Sequence, residues 1–362
     1  DDGYLDAMGH LSKLRDEGKI KHLGLTNFDT EHLKRIVVDS TVQPKAVCFP
    51  TDVRLHYKAL KALVALAKTH NLPLRQSYLR VVKRAVMMSG RYRHAKQMKR
   101  ARRQEKFVRV RLGRVIRDVV RQLATHEEVR PLFAETLRKA GIAFRQQRNS
   151  KVKLYSWHEP EVECIGKGKA DKPYEFGCKV SITTHVNKAP GGHFILHAAA
   201  LHGRPYDGHT LKPVVEEGTE WTGVTPERIY VDRGYRGHDY PKTQKVFRSG
   251  QKRGVYGTIK KELRRRTIVE PVIGHLKSDG HLGRNYLKGE LGDKQNALFA
   301  AAGHNIRLLL KWFKRLCRAL DLWRANRFLG ELIRSKSAKP LIELLVKIRH
   351  SNELQSHNGD FA

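Results

Sequence analysis

Two short β-branched runs, each closed by an aspartate, do most to limit what this chain can fold into. Ile36-Val37-Val38 leads into Asp39, and Ile229-Tyr230-Val231 leads into Asp232, about 190 residues later. Unbroken apolar runs of this kind read as buried strands. A third carboxylate, Glu270, opens a helix that runs through Val272, Ile273 and Leu276. Two strand-end aspartates and one helix glutamate are what a two-metal phosphoryl-transfer site needs. A hard ion such as Mg²⁺ takes a few carboxylate oxygens and keeps its other positions for water and phosphate.

The surroundings of Glu270 sharpen this reading. Arg266, Glu270 and Lys277 follow the pattern RxxxExxxxxxK. On a helix, residues seven apart fall within roughly 20° of each other, so Lys277 stands above Glu270 on one face. Pro271 fits only a first helical turn, which starts the helix near Glu270 and leaves Arg266 in the preceding turn. Each residue also has a bland account: Asp after a strand caps a turn, and Arg and Glu at helical spacing pair on a surface. Asp52 is the rival first ligand, but its Phe49-Pro50-Thr51-Asp52 setting reads as a turn or helix N-cap.

Several motifs recur in a known order. Val38-Asp39-Ser40-Thr41-Val42-Gln43, Phe49-Pro50-Thr51-Asp52, Tyr174-Glu175-Phe176-Gly177-Cys178-Lys179-Val180 and Pro205-Tyr206-Asp207-Gly208-His209-Thr210-Leu211 are four of them. Val231-Asp232-Arg233-Gly234-Tyr235-Arg236-Gly237, the Arg266/Glu270/Lys277 signature and Gly283-Arg284-Asn285-Tyr286-Leu287 complete the set. Together they resemble the DDE transposases of bacterial insertion sequences, over residues 36 to 320. The resemblance implies an α/β fold: an RNase-H-like mixed sheet flanked by helices, with a basic helical insertion (about 55–150) after the first strand. It implies Asp39, Asp232 and Glu270 as catalytic ligands of two Mg²⁺ (or Mn²⁺) ions, and Arg266 and Lys277 as phosphate holders. The implied activity is DNA transposition by metal-dependent strand cleavage and transfer. The implied partners are DNA, at terminal inverted repeats and target, and further copies of the chain assembled on it. Leu263 stands where many relatives carry tyrosine.

Charge points the same way. The chain has 71 Lys and Arg against 36 Asp and Glu, a net +35, which calls for a polyanionic partner. From Arg91 to Arg121 there are 13 cations and two acids. Like charges one helical turn apart repel, and a phosphate backbone would relieve them. Arg91, Arg93, Arg100, Arg102, Arg103 and Arg109, with Arg264 and Arg265 just before the signature, are the expected DNA contacts. No apolar segment is long enough to span a bilayer, and no basic-then-apolar leader opens the chain. The four widely spaced cysteines form no metal or disulfide pattern. The expectation is a cytoplasmic protein without a membrane partner.

Leu55–Lys68 and one or two helices over 78–123 are helical, the latter with Val108, Leu112, Val115 and Val119 on one face. Residues 151–186 are strand-like, around a Gly166-Lys167-Gly168-Lys169 loop. Phe194–Ala200 and Lys245–Phe247 are further strands, and a helix starts near Thr210, capped by Asp207 or His209. A long helix over Asn296–Leu320 is expected to pack on the sheet through Leu298, Ala302, Ile306, Leu309 and Phe313. Residues 321–362 form a helical tail around Leu341, Leu344, Leu345 and Ile348.

Residues 1–35 do not fit this pattern. A helix through Tyr4–Lys19, closed by Gly18, precedes a strand at Ile20–Phe28. This resembles an aldo/keto reductase, with Thr26 and Asn27 matching the pair that contacts the nicotinamide amide. One βα unit cannot close an eight-unit barrel. We therefore read a gene fusion with its seam near Leu33–Val37, in which truncation impairs transposition. A non-catalytic DNA-binding transposase remnant is the alternative, followed by an NAD(P)-linked reductase.

Overall fold

Ile36, Val37 and Val38 have no polar alternation, and they form a strand covered on both sides. The computed structural model describes residues 30–334, apart from 148, 167–172 and 243–244. The expected helix and strand of residues 1–28, with Thr26 and Asn27, lie outside the described residues. So do most of the Gly/Lys loop and the tail around Leu341–Ile348. The chain divides into two units. One holds Phe28–Lys188 and His193–His304. The other holds Asp1–Asn27, Ala189–Gly192 and Asn305–Ala362, and its described part is a tight turn at Ala189–Gly192 and a length of helix.

The first unit is mixed α/β. Strand β1 (Arg35–Pro44) lies at the centre of a six-stranded mixed sheet. It pairs antiparallel with β3 (Tyr174–His185) and parallel with β5 (Arg228–Val231), and β5 pairs parallel with β6 (Val246–Arg248). The other edge of β3 is shared by β2 (Glu163–Gly166) and β4 (Ile195–Leu201), both antiparallel. Gly177 is required where β3 crosses β1, because a Cβ there would run into the Gln43 carbonyl oxygen.

Between β1 and β2 comes a helical layer with its own core. It comprises α1 (Asp52–Thr69), α2 (Leu79–His94), α3 (Met98–Leu123) and α4 (Arg130–Arg145). Leu60 and Leu63 of α1, Val108, Leu112, Val115 and Val119 of α3, and Phe133 of α4 are buried together. The predicted stripe of α3 is the observed one. The break between α2 and α3 comes at Ala95–Gln97, where Lys96 adopts φ +55°. Helix α4 was not singled out in the sequence; Phe133, Ala140 and Ala143 are its buried residues, too few and too small for a clear stripe. Pro131 fits its first turn.

The two faces of the sheet form separate cores. Ile36, Val38, Ile229 and Val231 pack with Leu211, Val214 and Val215 of α5 (Leu211–Thr222). Val37 and Tyr230 point the other way. They pack with Val269, Val272 and Leu276 of α7 (Val269–Ser278) and with Ala297, Ala300 and Ala301 of α8 (Gly289–Arg334). This corrects the expected face of the last helix: Leu298 and Ala302 are exposed, and alanines three and four residues apart face the sheet. Small side chains let α8 approach closely, and the large ones are left outside. Helix α6 (Gly257–Arg265) precedes α7, separated by the single 3₁₀ turn Arg266–Ile268. Its Glu262 is buried and takes Arg228 Nε at 2.8 Å and the Tyr230 hydroxyl.

Candidate active site

Strand register brings the two aspartates together. The parallel pairing of β1 with β5 ends at Val38 opposite Val231. Asp39 and Asp232 are the next residues on each strand. Side chains alternate along a strand, so both share the face of Val37 and Tyr230, which α7 covers. Adjacent strands lie ~4.8 Å apart, so the carboxylates stand side by side. Asp39 is not at a strand end, as the sequence suggested. It lies mid-way along β1, which continues to Pro44 through its pairing with β3; only the parallel pairing stops at Val38.

Glu270 is the second residue of α7, with Pro271 in the first turn and Arg266 in the turn before. That placement is the one the proline dictated. One guanidinium spans all three acids. Arg266 Nη1 lies 3.3 Å from Asp39 Oδ2, and its Nη2 lies 3.7 Å from Asp232 Oδ1 and 3.6 Å from Glu270 Oε1. The arginine is 8% exposed, so it faces the carboxylates from beneath. The side chains of Asp232 and Glu270 are 49% and 63% exposed, which leaves the cluster open on its outer side. Three carboxylates against one cation leave an excess of two negative charges, and hard oxygen donors of this kind suit Mg²⁺ or Mn²⁺.

Asp39 is the buried member. Burial pushes its carboxyl up to about 6, against the lowering effects of the Ser40 amide and Arg266. Ser40 N donates to its Oδ1 at 2.8 Å. A fourth acid lies close by. Asp207 accepts from Ser40 Oγ at 2.8 Å and from Lys179 Nζ at 3.1 Å, at the start of the 3₁₀ turn Asp207–Thr210. These bonds tie Asp207 to β1 and β3; His209 is exposed. Asp52 stays away, accepting from Gln146 Nε2 at 2.7 Å at the start of α1.

The other predicted residues are spread over the surface. Lys277 is half-buried two turns along α7 from Glu270. Arg91, Arg93, Arg100, Arg102, Arg103 and Arg109 are exposed on α2 and α3, and Arg264 and Arg265 are exposed at the end of α6. Arg93 Nε is bonded to Glu105 at 2.8 Å, and Arg109 Nε to the Phe144 carbonyl at 3.0 Å. Arg265 reaches Asn187 at 2.7 Å.

Sequence spacing missed one further group. Cys178, His202 and Asp293 bring a thiol, an imidazole and a carboxylate within 4.8 Å of one another. His202 Nε2 is 3.1 Å from Asp293 Oδ2, while Asp293 Oδ1 takes Lys45 Nζ at 2.9 Å and Asn285 Nδ2 at 2.7 Å. The three residues are far apart in the chain, so no local motif could announce them. Lys45 also faces Glu159 at 3.6 Å and Glu161 at 3.1 Å, which makes this a buried network joining the residue after β1 to α8.

Residues 145–306 match the family model of the transposase DDE domain. Residues 1–142 match that of the aldo/keto reductase family. Two families thus meet in one chain, as the fused pattern of motifs indicated. An uncharacterized protein, ORF8 in the nfe locus of Rhizobium meliloti, is 57% identical over 67 residues, 18% of this chain and 32% of that protein. The chain thus spans about a third of the length of the curated relative it matches. No solved structure matches. The boundary between the two family matches is not a boundary of the sheet. Asp39 lies within the reductase match, yet β1 is hydrogen-bonded to β3 and β5 of the transposase match.

Proposed function

We propose that this chain is a DDE transposase by design, cutting and joining DNA strands at Asp39, Asp232 and Glu270. The observation that carries the proposal is the convergence of these three carboxylates on Arg266. The sheet supports an RNase-H-like reading: antiparallel in its β4-β3-β1 half, parallel in its β1-β5-β6 half. When bound, two Mg²⁺ or Mn²⁺ ions supply activation of a water or 3′-hydroxyl nucleophile and stabilise the leaving oxygen. The residues do the rest. Asp39 fixes the buried corner of the site. Asp232 and Glu270 present oxygens on its open side. Arg266 braces the three carboxylates from beneath, Lys277 steadies phosphates next to the scissile bond, and the cations of α2, α3 and α6 hold the flanking duplex. Terminal inverted repeats and target DNA are the substrates, met in the cytoplasm, with copies of the chain assembling on the DNA ends.

A non-catalytic remnant that binds DNA is the second reading. What favours it is the reductase match over residues 1–142, which takes in the strand of the first aspartate. The described residues of that match hold one strand and otherwise helices, which lends a reductase barrel no support. No helix among the described residues is long and apolar enough to cross a membrane.

Nicking of DNA carrying the element's ends separates the two. Mg²⁺ or Mn²⁺ supports strand cleavage in the transposase reading. Asp232→Asn abolishes it while leaving DNA affinity nearly unchanged, because phosphate contacts come from elsewhere. Binding itself weakens with salt, log K falling by about 0.9 per phosphate neutralised. Salt-sensitive binding with no metal-dependent nicking selects the remnant. The fusion reading adds that the intact chain is weaker than one with a transposase-like start.

A further inference from the structure

Away from the carboxylates, an open groove of about 670 Å³ runs between the start of α1 and the β2/β3 edge of the sheet. Phe49, Tyr155, Tyr174 and Phe176 line it, together with Lys153 and Arg204. Phe176 is the hub, with ring centroids 5.5 Å from Phe49 and 5.6 Å from Tyr155. Packing does not explain the outer two rings: Phe49 is 68% exposed and Tyr174 55% exposed. Exposed aromatic faces beside cations are what unstacked nucleobases bind, the rings taking bases and the cations taking phosphates.

The cation side of the groove is built. Arg204 adopts φ +50° directly after Gly203 at φ +84°, a conformation that arginine rarely takes and that needs support. Glu163 on β2 supplies it, accepting the Gly203 amide at 2.6 Å and the Arg204 amide at 3.2 Å. A strand carboxylate thus holds the turn that presents this arginine to the groove. The groove also has a defined relation to the carboxylates. Lys45 N, one residue past the end of β1, bonds to the Phe176 carbonyl at 2.9 Å. Asp39 lies five residues before Pro44, which is ~17 Å of extended strand. That span is about five base-pair steps of DNA.

We infer that this groove takes single-stranded DNA, holding one or two unstacked bases of a strand that leads away from the carboxylate cluster. The inference rests on the DNA-processing reading and adds a substrate feature to it: an unpaired flank next to the duplex. Its volume is in the range of nucleotide-sized pockets.

The test is fluorescence anisotropy with a labelled 12-nucleotide oligo(dT) and a duplex of equal length, on the full chain and on F49A/Y174A and R204A. Thermal melting of each variant confirms folding. The expected result is a loss of tenfold or more in single-strand affinity for F49A/Y174A, with duplex affinity and melting unchanged. R204A lowers single-strand affinity and reduces its salt slope by about one. Single-strand binding by F49A/Y174A equal to wild type, alongside normal salt-dependent duplex binding, overturns the groove and leaves the DNA reading standing. Binding of neither DNA form by the wild-type chain overturns both. Competition by free thymidine monophosphate as strong as by the oligonucleotide replaces the strand with a small ligand and overturns the inference.

Discussion

Asp39→Asn should make this protein more stable at neutral pH, although it removes a member of the candidate active site. The carboxyl is raised from 3.8 to about 6, chiefly by burial. That is a hundredfold change in proton affinity, so ionising Asp39 inside the fold costs about 3 kcal/mol relative to water. Asparagine carries no charge, and its Oδ1 can still accept the Ser40 amide. Arg266 keeps Asp232 and Glu270. The amide NH₂ facing Arg266 returns part of the gain, which leaves about 1–3 kcal/mol in favour of the variant. The sign with pH follows from linkage. A raised carboxylate binds its proton more tightly in the fold, so wild-type stability falls as pH rises from about 4 to 6. The variant lacks that loss. Urea unfolding at intervals from pH 4 to 8 should show equal stabilities near pH 4, a gap opening up to about pH 6, and a constant gap above. A variant less stable than wild type at pH 8, with a pH-independent difference, refutes the reasoning.

Other consequences can be measured on the same protein. Arg266→Gln leaves three carboxylates without their shared cation; the metal-free variant should melt lower than wild type, and Mn²⁺ should raise its melting temperature by more than it raises that of wild type. Glu262→Ala strands Arg228 and the Tyr230 hydroxyl at the root of β5 and should cost about 3 kcal/mol in denaturant unfolding; a loss below ~0.5 kcal/mol would show that water replaces the acid freely. Cys178, pushed up to about 12 by burial, should resist iodoacetamide at pH 8 in the folded chain, while exposed Cys48 is alkylated. Equal labelling by peptide mass mapping would mean that β3 opens readily.

The strands, the basic helices and the start of α7 were legible because each has a local signature: β-branched runs, a repeat of apolar residues on α3, and Pro271 fixing a helix start. What joins them was not. That Asp39 and Asp232 share a face depends on the Val38–Val231 register, which the sequence does not contain. Arg266 read as a phosphate ligand because its spacing from Glu270 is all that a linear pattern displays; its burial among carboxylates is set by α7 lying across the sheet. The long helix was misjudged for a different reason. Hydropathy favours Leu298 over Ala297, but close approach to the sheet favours the smaller residue. The aromatic groove draws on four separate segments, and no single window holds enough of it to be noticed.

Among the described strands, the central one is also the first to be synthesised. Its antiparallel partner β3 begins about 140 residues later and its parallel partner β5 about 190 residues later. At roughly 5–20 residues per second on a ribosome, β1 waits about 10–40 s for a complete set of neighbours. The helical layer, whose core closes by Trp157, has all its parts well before then. During that interval Ile36-Val37-Val38 is an unpaired apolar segment, the kind of edge that seeds aggregation. Asp39 sits directly after it, and a charge in that position acts as a gatekeeper. The carboxylate that strains the finished fold therefore protects the nascent one, and Asp39→Asn should yield a more stable protein that is harder to produce in soluble form.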